Sequence, residues 1–190
     1  PGWVLSVFLT RRRLDWGTHL ALVVTLSLAS WPVVLLWASV AGVSLAGGRV
    51  WVVVILWALA AGCALRWRRR AAPEANEAAL TDPLADVALA VVLLCTMTTR
   101  LLQVRNLVVP AWVDSVHHTA LSQAIAERGV LPAGDFGYHF GLHANVAAFI
   151  WLGGLEAPQA VLLLGQVLNA ATVLTVYALA RALSRRPWAG

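Results

Sequence analysis

Lysine is absent from this 190-residue chain, and all fourteen of its basic residues are arginine. Charge of either sign is scarce at 12% of residues, against about 25% in an ordinary soluble domain. So little charge excludes a disordered chain, and with 60% hydrophobic residues it also excludes almost any soluble globular domain. Cysteine is nearly absent too. Cys63 and Cys95 both lie inside apolar runs, which rules out a disulfide framework. What is present is apolar sequence with a mean hydropathy of +0.76. The composition predicts an all-α, polytopic membrane helix bundle. The net charge of +5 sits in clusters at the edges of apolar runs, Arg11–Arg13, Arg66–Arg70 and Arg181–Arg186. That placement sets topology and does not form a nucleic-acid surface.

A spanning helix needs about 20 predominantly apolar residues. Residues 3–10 are too short. Spans are expected at about 17–45 with a kink at Pro32, 50–65, 84–102 and 158–183. Residues 46–49, Ala-Gly-Gly-Arg, read as a tight turn, and Asp82-Pro83 as the cap and first turn of the third span. Positive charge puts Arg11–Arg13 and Arg66–Arg70 in the cytoplasm and the loop 103–157 outside. Within that loop, Asp114–Arg128 reads as an amphipathic helix on the membrane surface. Its expected apolar stripe is Val113, Val116, Ala120, Leu121, Ala124 and Ile125, with Gly129 as its C-terminal cap. The apolar stretch 143–155 is too short to cross. It is expected to be re-entrant, which returns the arginines after 180 to the cytoplasmic side.

Four of the five histidines lie in this loop. Asp114 is the candidate catalytic residue, since a carboxylate there can take a proton from an attacking hydroxyl or hold a metal; the alternative is a helix N-cap. His117 and His118 follow at i+3 and i+4, on the same side of the helix. His139 and His143 have a spacing that suits a divalent metal such as zinc, with His118, Asp114 or Asp135 as further ligands. His118 and His143 are the metal candidates, against a simpler role as interfacial hydrogen-bonding groups. Arg100 and Arg105, near the outer end of the third span, can clamp a lipid phosphate or simply snorkel to the interface. Tryptophans near span ends form an aromatic belt, and Gln166 and Asn169 are candidates for hydrogen bonds between helices.

Three features occur in order. A span is followed by Trp112-Val113-Asp114-Ser115-Val116-His117-His118. A surface helix then ends in Glu127-Arg128-Gly129-Val130-Leu131-Pro132, and Tyr138-His139-Phe140-Gly141-Leu142-His143 leads into a short apolar helix and a span ending in arginines. Residues 84–186 thereby resemble the amino-terminal module of GT-C superfamily membrane glycosyltransferases, which include protein O-mannosyltransferases and aminoarabinose transferases. Residues 1–83 would be additional amino-terminal helices with a cytoplasmic loop. The resemblance implies a sugar donor carried on polyprenyl phosphate and transfer on the outer face of a bacterial cytoplasmic membrane. It further implies Asp114 as base or metal ligand, substrate contacts from Arg100, Arg105, His117, His118, Tyr138 and His139, and an optional divalent metal ion. Position 116, where an Asp-x-Asp pair would carry its second carboxylate, is Val116. The chain begins at Pro1 and is expected to be a fragment of a longer protein, inactive alone. A transporter with a re-entrant helix and a non-enzymatic membrane scaffold are the competing classes.

Overall fold

The computed structural model describes residues 1–10, 14–70, 82–132 and 139–184. The expected arginine cluster at 11–13, the loop at 71–81, Asp135, Tyr138 and Arg185–Arg186 lie outside them. Among the described residues every regular element is an α-helix: α1 (Gly2–Leu9), α2 (Trp16–Val40), α3 (Val50–Arg70), α4 (Pro83–Val104), α5 (Val113–Arg128), α6 (Gly141–Gly153) and α7 (Ala157–Ser184). α2, α3, α4 and α7 are long and apolar enough to cross a membrane, which marks an integral membrane protein.

Helix ends follow local chemistry. Asp82 caps α4 as expected: its carboxylate accepts from the Leu84 N–H at 3.0 Å, and its carbonyl accepts from the Asp86 N–H at 3.0 Å. α2 stops at Val40, five residues before the expected end. Gly42 enters the left-handed region (φ 68°), and the Val43 N–H turns back to the Ala38 carbonyl at 2.8 Å, closing the helix before the apolar sequence runs out.

The chain divides into two compact units. One contains residues 1–27, 58–103 and 166–190. Its core joins Ala21, Leu89, Leu174 and Tyr177. Gly17 sits where a Cβ would collide with the Tyr177 ring and with Leu89, so only glycine allows α2 this close to α4 and α7. Asp15, just before α2, is 7% exposed and pairs with Arg181 in the last turn of α7. The Arg181 Nε–carboxylate distance is 3.3 Å. Tyr177 donates its hydroxyl hydrogen to Asp15 at 3.0 Å and accepts from Arg181 Nη1 at 2.8 Å. Burial alone raises the Asp15 carboxyl, but the hydrogen bonds from Thr18 and Tyr177 and the Arg181 charge outweigh it and hold it below the usual range. Phe8 stacks on Trp67 at 5.2 Å in the same unit.

The other unit contains residues 28–57 and 104–165. Leu35, Leu45, Ile125, Ala144 and Ala147 form its core. Pro32 lies inside α2 and lacks the N–H that would bond the Leu28 carbonyl. Asn145 of α6 fills that place, donating from Nδ2 to the Leu28 carbonyl at 3.0 Å. The turn after α2 receives the end of α5. Leu45 N–H donates to the Gly129 carbonyl at 2.8 Å, and Ser44 Oγ donates to the Arg128 carbonyl at 2.7 Å. These bonds satisfy carbonyls that a helix end leaves open. Gly129 is the expected C-terminal cap of α5, at φ 71°.

Candidate functional site

α5 and α6 pack against each other and carry His117, His118 and His143. α5 starts after Pro110, with Trp112 as its extended N-cap. Asp114 is therefore the second helical residue and not the cap. Its carboxylate is exposed and has no hydrogen bond or ion pair among the described residues. This removes the capping alternative and leaves Asp114 open to solvent and ligand.

The packed face of α5 differs from the expected stripe. Ile125 is fully buried, and Leu121 and Ala124 are half-buried, but Val113, Val116 and Ala120 are exposed. Ser122, also fully buried, and half-buried His118 take part in the packed side instead. Hydrophobicity misplaced this face because α6 meets α5 through the small residues Ala144 and Ala147 and through an imidazole, so His118 finds its partner inside.

That partner is His143, 1% exposed on α6. Its Nε2 lies 3.0 Å from His118 Nδ1, the ring centroids being 5.1 Å apart. Phe140 meets His143 edge-on at 6.1 Å. Burial pushes the His143 imidazole below its usual value and neighbouring His118 adds to this; the nearby His139 backbone opposes it, and His117 lowers it slightly further. At the far end of α6, Trp151 donates its indole N–H to the Ala126 carbonyl at 2.9 Å.

His118 and His143 thus meet, two of the residues singled out in the sequence. His139 is exposed and precedes α6, so its i,i+4 spacing with His143 is not a helical ligand pair. No third metal-ligating side chain joins the two among the described residues, and a zinc site uses three or four protein ligands. The described donor set does not fit such a centre. His117 is exposed on α5, Arg105 is exposed just after α4, and Arg100 is half-buried within α4. Neither Gln166 nor Asn169 makes a side-chain hydrogen bond among the described residues. The bridging amide is Asn145, whose sequence signal was Pro32 and the carbonyl it must leave open. Nothing in the spacing pointed to Asp15 and Tyr177.

No protein-family model, curated protein or solved structure matches this chain.

Proposed function

We propose that the chain is the amino-terminal part of a GT-C-type membrane glycosyltransferase, which moves a sugar from a polyprenyl-phosphate lipid to an acceptor on the outer face of a bacterial cytoplasmic membrane. The observation that carries this reading is Asp114. It is an exposed carboxylate without a partner among the described residues, on a helix that begins at Val113 after a candidate span ending at Val104. A base at that position can reach an acceptor in water while a lipid donor keeps its tail in the bilayer.

In this mechanism Asp114 removes the proton from the acceptor hydroxyl as that oxygen attacks the anomeric carbon. The bond from that carbon to the carrier phosphate breaks with inversion. Arg105 neutralises the departing lipid phosphate. His117 and His139, both exposed, would contact the sugar or the acceptor, and the resemblance assigns Tyr138 the same role. A lipid-linked donor accounts for candidate residues that follow the third candidate span in the sequence.

The test uses the full-length protein in proteoliposomes, supplied with polyprenyl-phosphate-linked mannose and aminoarabinose. Asp114→Asn is expected to lower kcat by about a hundredfold or more, the scale of a lost general base. Transfer at the unmutated rate in this variant overturns the assignment.

A further inference from the structure

The outward face of α5 changes character along its length. Val113, Val116, Ala120, Gln123 and Glu127 recur at spacings of three and four residues, so they share one stripe of the helix. All five are exposed. The stripe begins with two valines, Val113 being 89% exposed, and ends with Gln123 Nε2 donating to Glu127 Oε1 at 2.8 Å. The fully buried Ile125 points the other way, into the core shared with Ala144 and Ala147 of α6. The apolar end of the stripe continues backwards into the segment before the helix. Leu107, Val108, Val109 and Trp112 are exposed as well, Trp112 at 81%. No charged residue lies between Arg105 and Asp114. Residues 107–116 thus present six large apolar side chains that nothing covers among the described residues. A contiguous patch of this kind marks an interaction surface.

We propose that residues 107–116 form an apolar wedge inserted into the interfacial layer of the lipid bilayer, and that α5 slants from this wedge out into water. The chain itself says what covers the patch. Leu107 is three residues beyond Val104, the end of the candidate span α4, and three residues reach at most about 11 Å. The patch therefore starts at the bilayer surface, and lipid is the apolar phase within its reach. Trp112 suits that layer, with its ring among apolar groups and its indole N–H among headgroups. The backbone limits the depth. Residues 105–112 are not helical, and the hydrocarbon core does not accept open N–H and C=O groups. The wedge accordingly stops about 5–10 Å deep, at the boundary between headgroups and acyl chains. A helix lying flat on the bilayer would need this stripe to be apolar throughout. Glu127 stands 14 residues beyond Val113 on it, about 21 Å along the axis, and with Gln123 it puts the far end in water. Asp114 directly follows Trp112 and Val113, so the wedge holds that carboxylate at headgroup level, where a lipid-linked sugar lies. This last step rests on the transferase reading; the insertion does not.

The test measures depth, residue by residue, on the full-length protein in vesicles of phosphatidylcholine and phosphatidylglycerol. Val108→Cys, Val113→Cys, Val116→Cys, Gln123→Cys and Glu127→Cys are made singly in a background with Cys63→Ser and Cys95→Ser. Each is labelled with an environment-sensitive fluorophore. All five positions are exposed, so the label replaces no packed side chain. Quenchers are lipids that carry a nitroxide either near the headgroup or deep in the acyl chain, and iodide in the water. The dye at 108, 113 and 116 is expected to emit at shorter wavelength and to lose fluorescence to the shallow nitroxide more than to the deep one. At 123 and 127 it is expected to lose fluorescence to iodide and not to lipid. Iodide quenching at all five positions overturns the insertion. Short-wavelength emission at 108 and 113 that no lipid quencher reaches overturns it too, since protein then covers the patch. Equal lipid quenching at 113 and 127 overturns the slant and lays the helix flat. Stronger quenching by the deep nitroxide overturns the interfacial depth. The expected pattern together with unimpaired transfer by Asp114→Asn refutes the base assignment and leaves the wedge standing.

Discussion

Asp15 and Arg181 are 166 residues apart in sequence, yet their charges meet at 3.3 Å with little exposure, 7% for Asp15 and 13% for Arg181. A buried pair costs much to desolvate, and removing one member strands the other. Arg181→Met is expected to lower unfolding stability in detergent by about 3 kcal/mol. The double variant Asp15→Asn with Arg181→Met is expected to recover most of that loss. Additive losses in the double-mutant cycle would show that the two groups are uncoupled. His143 gives a second expectation. Its folded-state value is lowered, so on acidification the unfolded chain takes up the proton first. The groups facing it are His118 and His117 of α5 and the His139 backbone, and none of them is acidic. Its contribution is fully present above about pH 6.5 and declines as the pH falls below that. The unfolding temperature should drop from pH 7 to 5, with a shallower slope in His143→Phe. At this scale the sequence singled out candidate side chains, because histidine and aspartate stand out in an apolar chain. It did not show their partners. His143 meets His118 rather than His139, and Asp15 meets an arginine that read only as a topology signal.

Elements were far more legible than contacts. Asp82-Pro83, Gly129 and the Val50 start of α3 were readable because a cap or turn is decided by a few adjacent residues. The end of α2 was not, since an apolar run continues past the glycine that stops the helix. The packed face of α5 was not either, because a hydrophobicity pattern places Ser122 and His118 outside, and only the packing of α6 shows that both turn inward. Gly129 carries both a positive φ and a close approach, since a Cβ there would collide with Ser44 Oγ and the Ala46 backbone. Gly129→Ala should therefore cost more than about 1 kcal/mol and loosen the turn after α2. Faster amide exchange at Leu45, which donates to the Gly129 carbonyl, is the readout. Unchanged exchange at Leu45 would mean that the junction tolerates the side chain.

Across the whole molecule, the parity of membrane crossings follows from one contact. Asp15 precedes the first candidate span and Arg181 lies in the last turn of the fourth. A chain returns to the face it left only after an even number of crossings, and α2, α3, α4 and α7 are the four candidate spans among the described residues. α6 has 13 residues, which at 1.5 Å each reach about 20 Å, short of a hydrocarbon core of about 30 Å. Single cysteines at Leu14 and Ser184, in a background without Cys63 and Cys95, should thus react with an impermeant maleimide from the same side of sealed vesicles. Labelling from opposite sides would require a fifth crossing.

The bond between Asn145 and the Leu28 carbonyl ties the fates of two distant codons. Proline at 32 vacates an acceptor, and the amide occupies it. Loss of Pro32 alone would return a rival N–H to that carbonyl, and loss of Asn145 alone would leave the acceptor empty. Variation among homologues is therefore expected to change both positions in concert, with each tolerated substitution conditional on the other.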